Sequence, residues 1–107
     1  MNKEERQTIY KKAEELWGLV AQYDQAIEEM AELTVAINKY KRKCLYGEYK
    51  SDPKIEENLI EELADVKMCM EQLWGYVGED KVERVLDSKF EKLKKLIDEL
   101  EKSKKEN

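Results

Sequence analysis

Two sets of carboxylates carry the chemistry available to this sequence. Glu28, Glu29 and Glu32 fall in QAIEEMAELTVAINKY, residues 25–40, and Glu61, Glu62 and Asp65 fall in NLIEELADVKMCMEQL, residues 58–73. Both stretches read as helices, with apolar residues recurring three and four apart. Positions at that spacing share a helix face, so Glu29 points with Glu32 and Glu62 with Asp65. If the two helices lie side by side, four carboxylates converge. Left alone, such a cluster raises its own pKa values and opposes folding. A hard divalent cation with all-oxygen ligation, Mg2+ or Mn2+, relieves the repulsion.

The competing reading is a solvated acidic face, which Glu-rich helices often present. The apolar neighbours argue against it. In the second stretch Ile55, Leu59, Leu63, Val66, Met70, Leu73 and Val77 form one face, with Glu62 on its edge. Asp65 lies beside Glu62 on the row of Cys69 and Tyr76, and Glu61 points further away. In the first stretch the main stripe is Tyr23, Ile27, Met30, Thr34 and Ile37. Glu29 and Glu32 lie on another face, shared with Leu33, Ala36 and Tyr40. A solvated face needs no apolar border, and charges are seldom buried without a partner.

The words EEMAE (28–32) and ELAD (62–65) match the EExxE…ExxD signature of the MazG-like all-α nucleoside triphosphate pyrophosphohydrolases. AIEEMAEL, NLIEELADV, MEQLW and a late Lys-containing helix resemble the short phage and Firmicute type of that family. The resemblance spans roughly residues 17–97, although the gap between the motifs sits at the long end for the family. It implies Glu29, Glu32, Glu62 and Asp65 as metal ligands and Glu28 as the base that handles the attacking water. It implies hydrolysis of a nucleoside triphosphate to monophosphate and pyrophosphate, with nucleotide-pool cleaning as the role. It also implies a homodimer or a homotetramer built as a dimer of dimers, with the site near the subunit interface.

The elements that must position these groups follow from composition and punctuation. At 107 residues, 42% charged, with one Pro and four Gly, the chain reads as a single all-α domain. Helices are expected over 3–17, about 19–43, 53–77 and about 80–102, with Gly18 a break and a loop over Cys44–Asp52. Short connections favour an antiparallel bundle. Ser51-Asp52-Pro53 is a helix start, Gly78 a helix stop, and Asp80 with Glu83 has capping-box spacing. The expected core is about 17–97, with a frayed tail over 101–107. No run of 18 apolar residues is present, so no membrane span is expected. The charged N-terminus lacks the apolar stretch of a secretory leader. Cys44 and Cys69 lack CxxC spacing and His partners, and read as reduced thiols in a cytoplasmic protein. A net charge of −5 disfavours a nucleic-acid polymer as partner. With no His, catalysis must run on carboxylates, lysines and metal.

Further candidates lie around the acids. Trp17 offers a ring for a base, although a Trp at a helix end is more often core. Gln22 and Gln25 are candidates for base contacts. Lys39 and Arg42, near a helix C-terminus, suit the helix dipole and also triphosphate oxygens. Tyr46 and Tyr49 are candidates for a flap. The last helix has a seam of Val82, Leu86, Lys89, Leu93, Leu96 and Leu100. Lys89 interrupts it, either to fix register or to reach phosphate oxygens. The resemblance favours the second role, neutralising charge on the leaving group. Some relatives carry Asn where Leu93 stands, and Lys92 is the substitute here. Two other classes compete with the enzyme: an inactive helical protein-interaction module of the same fold, and a coiled coil with solvated acids. The breaks at Gly47, Pro53 and Gly78 count against one long coiled coil.

Overall fold

The computed structural model describes residues 1–46 and 50–106. Among these residues there are four α-helices, one π-helical turn and no strand. Helix α1 is Lys3–Trp17, α2 is Leu19–Tyr40, the π-turn is Lys41–Leu45, α3 is Pro53–Val77 and α4 is Glu79–Glu106. The all-α expectation is met. Gly47 and Tyr49, the expected break and flap residue, lie outside the described residues.

Local chemistry sets most of the boundaries. Asn2 caps α1: its side chain accepts the Glu5 N–H at 2.8 Å, and the Glu5 carboxylate accepts the Asn2 N–H at 3.5 Å. That reciprocal pair is a capping box. Gly18 adopts φ 87°, a conformation that favours glycine. Its N–H closes α1 on the Glu14 carbonyl at 2.8 Å, and its own carbonyl accepts from Gln22 at 3.3 Å to open α2. Asp52 Oδ1 accepts the Lys54 and Ile55 N–H groups at 3.0 and 3.4 Å, with Pro53 in the first helical position.

Three boundaries differ from the sequence expectation. Helix α2 gives way after Tyr40 to a π-turn, in which the Tyr46 N–H donates to the Lys41 carbonyl at 3.0 Å. Helix α4 starts at Glu79, because the Gly78 carbonyl takes the Lys81 and Val82 N–H groups. Asp80 therefore sits inside the first turn, where its charge suits the helix dipole, and is not the cap. At the other end α4 continues to Glu106, past the frayed tail expected after Leu100. Lys and Glu are good helix formers, and Lys104 and Lys105 suit the C-terminal dipole.

The chain falls into two compact units, Met1–Leu73 and Trp74 onward. The boundary lies inside α3. In the first unit, Ala26 and Ala36 of α2, Cys44 of the π-turn, and Val66, Cys69 and Gln72 of α3 are buried. Gln72 Nε2 donates to Gln22 Oε1 at 2.6 Å, while further along Glu29 meets Glu62. Rising numbers on α2 thus meet falling numbers on α3, and the two helices run antiparallel.

On α2 the row that turns inward is not the one periodicity favours, and on α3 the expected face is covered at Ile55, Leu59, Val66 and Leu73 only. On α2 the covered row is Gln22, Ala26, Glu29, Leu33, Ala36 and Tyr40. The expected main stripe is exposed, with Ile27 at 67%. On α3 Val66, Cys69 and Gln72 are buried, whereas Leu63 and Met70 are exposed. Gln22 and Glu29 of the covered α2 row meet Gln72 and Glu62 of α3, which sets the acidic rows of the two helices against each other.

The second unit comprises the last turn of α3 and all of α4. Val82 and Leu86 are half-buried, while Leu93, Leu96 and Leu100 of the seam are exposed.

Candidate metal centre

Carboxylate oxygens of Glu29 and Glu32 on α2 and Glu62 on α3 all lie within 4.8 Å of one another. Glu29 and Glu62 are half-buried and Glu32 is exposed. Asp65 stands outside this group of three. It is half-buried one turn along α3 from Glu62, and its charge bears on both Glu29 and Glu62.

The electrostatics are those of an uncompensated cluster. Burial pushes the Glu29 carboxyl above its ordinary value of 4.5, and the charges of Glu32, Asp65 and Glu28 push it further. A hydrogen bond from Gln25 Nε2 to Glu29 Oε1, at 2.8 Å, opposes the rise. Glu62 is raised by burial first, then by Asp65, Glu29 and Glu61, against a hydrogen bond with Glu32 that lowers it. Glu29 Oε2 and Glu62 Oε2 are both buried and accept no hydrogen bond. Buried acceptors without donors are uncommon, and each calls for a partner. The donor set is all oxygen and strongly negative, which fits Mg2+ or Mn2+.

The remaining sequence candidates are distributed as follows. Glu28 is exposed on α2 beside Glu29. Gln22 accepts from the buried Gln72, and Gln25 donates to Glu29, so each has a protein partner. Trp17 is 68% exposed and is no part of the core. Lys39 ends α2 and Arg42 lies in the π-turn, both exposed. Tyr46 is exposed, with Lys41 Nζ 5.3 Å from its ring centroid. Lys89 and Lys92 lie on α4 in the second unit, both exposed.

A second polar cluster joins α1 to α3, and sequence reading misses it. Arg6 Nη1 donates to both Glu71 oxygens at 3.1 and 3.3 Å, and the Tyr10 hydroxyl donates to Glu71 Oε2 at 2.7 Å. The Tyr10 hydrogen bond and the Arg6 and Lys67 charges hold the Glu71 carboxyl below its ordinary value, against burial. Burial and the Glu71 carboxylate push Tyr10 up to about 12. No local pattern signals this cluster, since Glu71 lies more than sixty residues from Arg6 and Tyr10. Gln25 to Glu29, by contrast, is a visible pair four residues apart.

No helix is long and apolar enough to cross a membrane among the described residues. No family model, no curated protein and no solved structure matches this chain.

Proposed function

We propose that this protein hydrolyses nucleoside or deoxynucleoside triphosphates to monophosphate and pyrophosphate, dependent on Mg2+ or Mn2+. One observation carries the reading: acids from two helices meet within 4.8 Å, and two of their oxygens are buried without a donor. Glu29, Glu32 and Glu62 would hold the cation, with Asp65 completing the negative field. The cation supplies Lewis-acid polarisation of the phosphate oxygens and offsets their charge.

Glu28 is exposed and beside the ligands, so its carboxylate is free to orient the attacking water and take its proton. Attack falls at the α–β anhydride. The assignment of Glu28, and that of Lys89 as the group that neutralises the leaving pyrophosphate, rest on the sequence resemblance. So does a role in clearing unwanted nucleotides in the cytoplasm. Trp17, with an exposed ring, is the aromatic platform available to a base, while Lys39, Arg42 and Lys92 remain candidate phosphate contacts. A homodimer or dimer of dimers belongs to the same proposal. It is supported by the exposure of Leu16, Val20 and Ile27 at 74, 75 and 67%, which a second copy would cover.

The deciding experiment is product analysis on a panel of NTPs and dNTPs, with Mg2+ and with chelator. Monophosphate plus pyrophosphate from any one nucleotide, lost on chelation, is the expected result. A folded, metal-loaded protein that turns over none of them points to the second reading, an inactive helical interaction module. The same exposed apolar residues favour that reading.

A further inference from the structure

We infer that Gln25 is a positioning residue for the metal centre: its amide holds Glu29 by Oε1 and leaves Oε2 to the cation. The inference rests on the reading of Glu29, Glu32 and Glu62 as cation ligands. Gln25 lies one helical turn before Glu29 and donates Nε2–H to Oε1 at 2.8 Å. The other oxygen of the same carboxylate is buried and accepts nothing.

These two facts belong together. A glutamate carboxylate turns about three side-chain torsions, and an unheld one swings until both oxygens are hydrated. Anchoring Oε1 to a donor on the same helix removes that freedom, because the four-residue spacing keeps the two side chains on one face. The anchor is also of the right chemical type. An ionised carboxylate only accepts hydrogen bonds, so the amide must present nitrogen to it. An amide carries no charge, so it neither competes with the cation nor repels it. Glu62 is placed differently, since its neighbour across the helices is Glu32, itself a candidate ligand. Gln25 thus fixes which oxygen of Glu29 faces the cation before the cation arrives. Outer-shell hydrogen bonds elsewhere orient metal ligands in this way.

The test is Mn2+ binding to the full chain, followed by electron paramagnetic resonance, for wild type, Gln25→Leu and Gln25→Ala. Gln25 is exposed and both replacements suit a helix, so helicity and the metal-free melting temperature should hold. Both variants should bind Mn2+ more weakly, by about threefold to tenfold, below the roughly 10- to 100-fold typical of outer-shell partners. The line shape of the bound ion should change as well, which a loss of general stability does not produce. Wild-type affinity and line shape in both variants would overturn the role of Gln25 and leave the metal centre standing. No Mn2+ binding by wild type would overturn the metal centre itself, and the role of Gln25 with it.

Discussion

Glu62 and Glu71 stand nine residues apart on α3, both half-buried, and the protein treats them in opposite ways. Glu71 has a guanidinium on both oxygens and a phenol on one, and its carboxyl is held below the ordinary range. Glu62 is surrounded by other acids, Asp65 and Glu29 foremost, has an oxygen that accepts nothing, and is held above it. The chain is therefore able to satisfy a carboxylate on this helix where only architecture is at stake. Glu29 and Glu62 each keep one buried oxygen that accepts nothing, 4.8 Å or less from Glu32, and the proposed cation is the partner that would answer them. One acid ties α1 to α3, and the other belongs to a group of like charges shared by α2 and α3.

The contrast breaks most sharply under substitution. Glu62→Gln should abolish metal-dependent turnover with little loss of helicity by circular dichroism, whereas Glu71→Gln should keep turnover. Equal turnover by Glu62→Gln and wild type would falsify the ligand assignment. Next in size is the response to metal. Millimolar Mg2+ or Mn2+ should raise the melting temperature of wild type and of Glu71→Gln, but not that of Glu62→Gln. At a free concentration 100 times Kd the gain is about 2.7 kcal/mol. No shift at millimolar cation in differential scanning fluorimetry counts heavily against the centre.

Without metal the two acids should separate again, in urea unfolding. Glu71→Gln weakens charge-assisted hydrogen bonds to Arg6 and Tyr10 and should lose about 1–2 kcal/mol. Glu62→Gln removes repulsion and should be as stable as wild type or more so. Lowering the pH should close both gaps from opposite sides. Glu71 has a lowered folded pKa, so its contribution is present above 4.5 and is lost as pH falls through the folded value. Glu29 and Glu62 have raised folded pKa values, so their contribution is fully present below 4.5 and is lost as pH rises through them. Stability profiles of the two variants that run parallel between neutral pH and pH 4 would remove the distinction. The smallest effect is at Tyr10. Its contribution is present below 10.0 and lost as pH rises through about 12. A spectrophotometric titration should show one tyrosine ionising late, absent in Tyr10→Phe and early in Glu71→Gln.

Much of this was legible in the sequence, and the exceptions have physical causes. Helices 3–17 and 53–77 have the expected limits because Gly18, Asp52-Pro53 and Gly78 act on their own neighbours. The pairing of Glu29 with Glu32 follows from helix geometry alone. The rotation of α2 does not, because Tyr23, Ile27, Met30 and Ile37 form the more apolar stripe, and yet small Ala26 and Ala36 are its buried residues. Hydrophobic periodicity ranks residues by polarity and carries no record of which row a neighbouring helix covers. The bonds of Arg6 and Tyr10 to Glu71 join distant segments, so no window of sequence contains them. The π-turn widens the last turn at the end of α2 and leaves no composition signal.

The burial of the two thiols gives the first unit a chemical clock. Cys44 is 1% exposed and Cys69 is 6% exposed, and no cysteine lies beyond Leu73. Alkylation requires a thiolate in contact with reagent, so neither residue reacts until its surroundings part. Where reclosure outruns alkylation, the modification rate measures the free energy of that parting, not of the α4 segment. Burial pushes the Cys69 thiol up, as do the Glu29 and Asp65 charges, so it reports the breathing of the space between α2 and α3 itself. Cys44, in the π-turn, times the end of α2 by the same reaction.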